Sequence, residues 1–215
     1  MVQSPAKPKL LGGRADKRFT YDLWMEEQGL PIYRGYYIED LRTIDLKLWD
    51  LRGCKTAFIQ LMGMEGVNEC RVSEIAPGET LAPFKLEIDE IVYVLQGRGL
   101  TTVWRGRDGA KRTFEWQPHS MFLIPRGYHH QISNTRGDQP VRLLHYNYLP
   151  VMMSAVDDPS FFFANPYERP DEMDEESMYA EAKVMADDTG TLGPRNVWYG
   201  NFFPDMRAWD KLDPF

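Results

Sequence analysis

Between residues 70 and 150 short apolar-rich runs alternate with turn residues at even spacing. Residues 71–75 (Arg71, Val72, Ser73, Glu74, Ile75) alternate, residues 90–95 are β-rich, residues 100–104 follow a glycine-rich turn, and residues 121–124 and 141–146 complete the set. Turn signals separate them at Pro77-Gly78, Gly97-Arg98-Gly99, Asp108-Gly109, Pro125-Arg126-Gly127 and Gly137-Asp138. Short strands so spaced predict an all-β fold, a sandwich or an antiparallel barrel.

The flanks read differently. Residues 1–15 carry Pro, Lys and Gly with few apolar groups and are expected to form a loose arm. From residue 16 to residue 69 aromatic and aliphatic side chains crowd together, among them Tyr21, Trp24, Tyr33, Tyr36, Tyr37 and Trp49. Left exposed they would aggregate, so this extension must pack on something. Residues 151–215 behave likewise, with Phe161, Phe162, Phe163, Trp198, Tyr199, Phe202, Phe203 and Trp209 set among Pro and Gly. Both extensions are expected to wrap the barrel, their own or a second subunit's, in a homodimer, and one or two of their rings to roof a ligand pocket. Short helices are expected in them. One spans 180–185, its start solvated by five carboxylates within residues 171–176.

Composition narrows the functional classes. A chain of 215 residues suffices for one domain with a sizeable core. No run of eighteen apolar residues and no basic-then-apolar amino terminus occurs, so neither a membrane span nor a secretory leader is indicated, and a cytosolic protein is expected. The formal net charge of −7, with no basic cluster, argues against nucleic acid as a partner. The two cysteines, Cys54 and Cys70, lack metal or redox spacing and are expected to be reduced packing residues.

The chemistry begins with two segments. Gly78, Glu90 and Gly97 stand at the intervals of G, five residues, H-x-H, three residues, E, six residues, G. Pro125, Gly127, His130 and Asn134 fit G, five residues, P-x-G, two residues, H, three residues, N, with His119 replacing the opening glycine. This paired signature resembles that of the cupin superfamily, which implies a jelly-roll β-barrel. No second copy of either segment occurs, so a single barrel is expected. The resemblance also implies that Glu90 and His130 approach one another inside the barrel, where relatives hold iron, manganese, nickel or zinc. Here Phe84 and Leu86 occupy the positions of the two metal-binding histidines.

Strand alternation puts Phe84, Leu86, Ile88, Val92 and Val94 on the face of Glu90, and Ile132 and Asn134 on that of His130. On so apolar a wall the pKa of Glu90 should rise unless a cation or hydrogen-bond donors hold it ionised. Glu90 and His130 alone are too few for a tight metal site, and His145 is a candidate third ligand. His119 or Glu87 could be recruited, although neither stands at a motif position.

Metal-independent acid–base chemistry by Glu90 and His130 on a small organic, aromatic or carboxylated metabolite is therefore the leading expectation, with no cofactor. The reaction would be an isomerisation, elimination, dehydration or cyclisation. Arg126, His145, Phe84, Leu86, Trp104 and Tyr146 are the candidate substrate-binding residues. Lys85 and His129, by alternation, face away, and Asn134 is expected to secure backbone. Two alternatives remain: a non-catalytic ligand-binding protein, and a metal-dependent oxygenase using Glu90, His130 and His145 with a divalent transition metal.

Overall fold

The computed structural model describes residues 19–106, 109–168, 178–180, 183–186 and 196–211. The expected arm at 1–15 and the acidic run at 171–176 lie outside the described residues. In chain order the elements are α1 (Thr20–Glu27), β1 (Ile32–Gly35), β2 (Lys47–Trp49), β3 (Cys54–Leu61), β4 (Glu69–Ile75), β5 (Phe84–Lys85), β6 (Glu90–Gln96) and β7 (Gly99–Trp104). There follow β8 (Arg112–Trp116), β9 (Met121–Ile124), β10 (His129–Asn134), β11 (Val141–Asn147), α2 (Leu149–Ala155), α3 (Ser160–Phe163), β12 (Lys183–Ala186), β13 (Asn196–Tyr199) and β14 (Phe202–Phe203). A 3-10 helix covers Met206–Lys211.

The fold is all-β with a few short helices. Twelve of the described strands form two facing sheets, one of eight strands in the order β1-β3-β4-β11-β6-β9-β14 with β2 also on β3, the other of four in the order β5-β10-β7-β8, and β12 and β13 make a separate two-stranded sheet. The hydrogen bonding does not close the sheets into a continuous barrel, and the arrangement is consistent with the expected jelly roll. One pair, β1 with β3, is parallel. The larger sheet begins upstream of residue 70, because β3 pairs with β4 from Lys55↔Glu74 to Ile59↔Cys70. The flanks join the sheets, and β14 extends the far edge on β9.

One local expectation fails. Residues 183–185, read as part of a helix, belong to β12, which pairs with β13 from Lys183↔Tyr199 to Ala186↔Asn196. Ala, Lys and Met favour helix in isolation, but the ladder offered by a partner strand overrides that weak preference.

The interior is layered. At one end Ile75, Val94, Phe114, Trp116, Phe122 and Leu143 form an apolar base. The opposite end is closed by the extensions. Tyr21, Trp24 and Met25, at helical spacing, bury one face of α1 against Leu149 and Met153 of α2 and Phe162 of α3. The Trp24 ring stacks on Phe163 at 5.0 Å and meets Trp49 and Phe58 edge-on. Polar side chains occupy the layer between.

Two turns show why the motif asks for glycine. At Gly97 φ is +87°, and a Cβ there would lie 2.5 Å from Cγ1 of Val141. His119 adopts φ +73° in a position the motif gives to glycine, and the hydrogen bond between its Nδ1 and the Tyr93 hydroxyl, 2.8 Å, helps hold that strained backbone.

Candidate functional site

Glu69, Arg71 and Ser73 alternate along β4 and share the inward face with Ile75, which is fully buried. On β11 the inward residues are Asn147 and His145, on β6 Glu90, and on β10, across the sandwich, His130. Strand pairing brings Arg71 opposite His145 and Glu90 opposite Asn147. All are buried.

Arg71 is the hub. Its Nη1 donates to Glu69 Oε1 and its Nη2 to Glu90 Oε1. Asn147 Nδ2 donates to both carboxylates, at 3.3 and 3.2 Å, and His145 Nδ1 lies 2.8 Å from Glu90 Oε2. Burial alone would raise the pKa of Glu90, but Arg71 and His145 hold it well below the usual carboxylate range. The condition set by the sequence reading is thus met: a cation keeps Glu90 ionised. Glu69 carries the raised pKa instead, because burial outweighs the same arginine there. The asymmetry fits the hydrogen bonds, since Glu69 Oε2 meets no donor among the described residues whereas both oxygens of Glu90 are engaged.

With Glu90 ionised, His145 donates from Nδ1, which leaves Nε2 to accept from the Ser73 hydroxyl at 2.8 Å. Burial lowers the pKa of His145 despite the pull of Glu90.

His130 sits at the other side. Its Nε2 lies 3.3 Å from Nη2 of Arg52, and a guanidinium only donates, so Nε2 accepts. Burial first and Arg52 second push the pKa of His130 well below its ordinary value, so the ring is neutral at neutral pH and its proton is on Nδ1. That Nδ1 meets no acceptor among the described residues. Arg52 lies over the Phe84 ring, 3.7 Å from its centre, and that ring in turn meets the His130 ring edge-on at 5.7 Å.

The geometry therefore gathers Glu90, His130, His145 and Phe84, with Leu86 buried in the adjoining cap. It does not bring the other three candidates to them. Trp104 pairs across the strands with His129, and its ring stacks on His129 and takes Lys111 on its face, all on the outer side of the smaller sheet. Tyr146 follows His145 and so points outward, 41% exposed. Arg126 is exposed at the Pro125–Gly127 turn, lining an open groove of about 700 Å³ with Glu87, Asp158, Phe161 and Tyr167. Alternation parity and turn exposure are the physical reasons. Lys85 faces away from Glu90, its Nζ donating to the Tyr167 carbonyl at 2.6 Å, and Asn134 Nδ2 donates to the carbonyls of Ile75, Ala76 and Gln139. Cys54 and Cys70 are free and buried.

Sequence reading missed Arg71, Glu69, Ser73, Asn147 and Arg52. The first three carry a usable signal, since Ile75 and the residues two, four and six before it share one face. Asn147 shares the face of His145. Arg52 lies in the turn between β2 and β3, where no periodicity points inward.

The motif residues occupy the places the signature requires: Glu90 opens β6, Gly97 follows it, His130 and Asn134 lie on β10, and Phe84 pairs with His130. The motif spacing and the two-sheet jelly roll together resemble those of cupins. No protein-family model matches the chain, and no curated protein matches it significantly. Solved structures similar to it include the cupin domain of Schizosaccharomyces pombe Cnp3, with 21% identity over 51% of this chain and 71% of that one, TM-score 0.41. Oxalate decarboxylase of Lactobacillus farciminis, in a formate complex, has 18% identity over 52% of this chain and 34% of that one, TM-score 0.41. Tomato vicilin has 14% identity over 44% and 28%, TM-score 0.39, so the likeness spans less than a third of that protein. Among the described residues no helix is long and apolar enough to cross a membrane.

Cupins of the metal-binding kind would place a divalent ion beside Glu90 and His130, and the residues present do not fit one. Both oxygens of Glu90 are taken by Arg71 and His145, and both ring nitrogens of His145 by Glu90 and Ser73. His130 Nε2 faces a guanidinium. Two fixed cations stand where a metal would need to enter, and a unit charge about 4 Å from another costs roughly 4 kcal/mol at an effective dielectric of 20.

Proposed function

We propose that the interior of this jelly roll is a metal-independent acid–base site for a small organic metabolite, catalysing an isomerisation, elimination or cyclisation. The observation that carries this reading is His130: a neutral, buried imidazole with one nitrogen unengaged, set among charges that cannot themselves titrate near neutrality. In this scheme His130 takes a proton from the substrate at Nε2, once the substrate draws Arg52 away from that nitrogen, and returns it elsewhere on the same molecule, which balances without an oxidant or a cofactor. Glu90, ionised, stabilises the transient imidazolium and orients His145. Arg71 and Arg52 offset negative charge that develops on the substrate. Phe84 and Leu86, where metal-binding relatives carry histidines, supply apolar wall in place of ligands.

Incubation with metabolite pools in D2O, followed by mass spectrometry, tests the reading. A turned-over substrate should acquire carbon-bound deuterium, and His130→Asn should reduce that exchange by at least about 100-fold, the low end of general acid–base contributions. Undiminished exchange in a folded His130→Asn protein would remove His130 from the chemistry. The same proposal includes a homodimer built on the aromatic extensions, for which light scattering should return about twice the 25.0 kDa chain mass.

A further inference from the structure

The polar layer contains two arginines, and only one has its charge matched. Arg71 is bracketed by Glu69 and Glu90. Arg52 makes no ion pair with any described carboxylate. Among the described residues the one hydrogen-bond partner of its side chain is His130 Nε2, a neutral acceptor, and its guanidinium lies over the Phe84 ring. Burying a guanidinium on such terms is unfavourable, because neither an imidazole nor a π-face replaces the water it gives up. The donor on His130 is in the same condition. With Nε2 accepting from Arg52, Nδ1 carries the proton and has no acceptor among the described residues, although the ring is 1% exposed. Of two adjoining groups, Arg52 thus has no carboxylate partner and His130 Nδ1 no acceptor among the described residues.

We infer that Arg52 and His130 form the recognition end of the site, and that the ligand is a small carboxylate bearing a second oxygen acceptor. This deepens the function proposed above and rests on its reading of the interior as a ligand site. A carboxylate answers a guanidinium better than other anions of its size, since two parallel N–H···O bonds match the planar fork. The second oxygen, a hydroxyl or carbonyl one or two bonds from the carboxylate, answers His130 Nδ1–H. Arg52 is also well placed to meet a ligand first: at 9% it is the most exposed of the polar layer, against 1% for Glu90 and His130. Phe84 beneath it provides the apolar floor. Engagement of Arg52 by the ligand weakens its hold on His130 Nε2, which frees that nitrogen to act as the base, so recognition and activation are coupled through one hydrogen bond.

The probes are pyruvate and lactate, with acetate lacking the second oxygen, acetamide lacking the charge, and inorganic phosphate as the competing anion. Protein labelled with 13C at arginine Cζ is titrated with each. Pyruvate or lactate should shift the Arg52 resonance and bind about 10 to 100 times more tightly than acetamide, the span expected for hydrogen bonds to a charged group. Acetate should fall between, and phosphate should bind less tightly than pyruvate. Arg52→Met should abolish binding, and Arg52→Lys should retain it in weakened form. Since Arg52→Met removes an uncompensated buried charge, its ligand-free form should melt no lower than wild type, and a fall of more than about 5 °C would make Arg52 a structural residue and overturn the inference. The labelled wild-type titration carries the test alone should that variant fail to fold.

An Arg52 resonance unmoved by every carboxylate, or phosphate binding as tightly as pyruvate, overturns the inference. So does His130-dependent deuterium exchange confined to neutral metabolites, which leaves the acid–base function intact. Carboxylate binding that needs Arg52, with no exchange into any carboxylate, does the reverse.

Discussion

Around Arg71 the guanidinium is bracketed by two glutamates, which an asparagine and a histidine join to a network in the middle of the sandwich, with Glu69 Oε2 left without a donor among the described residues. Around Arg52 the same guanidinium finds an imidazole and a benzene ring. Both are buried, in the same layer, and each perturbs its neighbours in its own direction. Glu90 is drawn down in pKa against its burial by Arg71, whereas burial, reinforced by the repulsion of Arg71, pulls Arg52 itself down to about 10. A network whose guanidinium is paired with carboxylates ties strands together, while a buried guanidinium without one marks where an outside molecule is expected. Removing Arg71 should therefore damage the protein far more than removing Arg52. For Arg71→Met, which strands two carboxylates, we expect a loss of about 3 to 5 kcal/mol in urea unfolding. A loss under about 1 kcal/mol would mean that the network is not what joins β4, β6 and β11 in the interior.

The contrast can be sharpened with pH. His130 and His145 both titrate below their ordinary range in the folded state. The unfolded chain, with histidine pKa near ~6.5, then binds more protons than the folded one below that pH. Stability from these two groups is full above ~6.5 and is lost as pH falls towards their folded values. Each histidine should cost about 1.4 kcal/mol per pH unit within that window. The depressed carboxyl of Glu90 acts in the same direction lower down: its contribution is present above ~4.3 and lost as pH falls through its folded value. Urea midpoints measured from pH 7 to pH 5 should decline, and His130→Asn should flatten the slope by about one proton. A flat profile in wild type would contradict a neutral, buried His130.

How much of this was legible in sequence divides along the same line. Strands β4, β6, β7, β9 and β11 were visible because turn residues bracket them. The identity of Glu90 and His130 came from motif spacing, and His145 from its place on the last strand of the core. Arg71 was readable in principle from alternation with Ile75. The signal is blurred because Cys70 and Val72, on the opposite face, are also buried beneath the residues around Ile44. A strand buried on both faces does not say which parity points to the site. Arg52 was beyond reach, since a turn residue has no periodicity and its inward course depends on where β2 and β3 happen to end. The helix expected at 180–185 failed for the complementary reason, a partner strand 10 to 16 residues downstream that local preference cannot anticipate.

The missing metal ligands offer a third test. Phe84→His with Leu86→His restores the motif, and the first imidazole replaces a ring that meets His130 edge-on. With Arg52 in place the restored site still faces a fixed cation, so its affinity for nickel or zinc should be poor. Adding Arg52→Ala should improve it at least about tenfold, a conservative figure beside the roughly 4 kcal/mol repulsion of close unit charges. Equal affinities in the double and triple variants, measured by calorimetry, would show that Arg52 is not what bars a metal.

The smallest effect is expected outside the sandwich, and it checks the face assignments on which the rest depends. Trp104 and Tyr146 were sequence candidates for substrate binding, yet each lies one residue out of phase with the interior, beside Val103 and His145. If alternation holds, Tyr146→Ser should change stability by no more than about 0.5 kcal/mol, as for other exposed positions, and leave carboxylate binding at Arg52 unaltered. Trp104→Ala removes a ring stacked on His129 at 5.5 Å, a contact worth about 0.5 to 1.5 kcal/mol beyond area, so it should cost slightly more while leaving the interior alone. Val103→Ser, one position away but inward, should cost at least 1 kcal/mol by placing a hydroxyl in the apolar base. Loss of ligand binding in the folded Tyr146 or Trp104 variants, with Val103→Ser neutral, would invert the assigned faces of β7 and β11 and return both aromatic residues to the site.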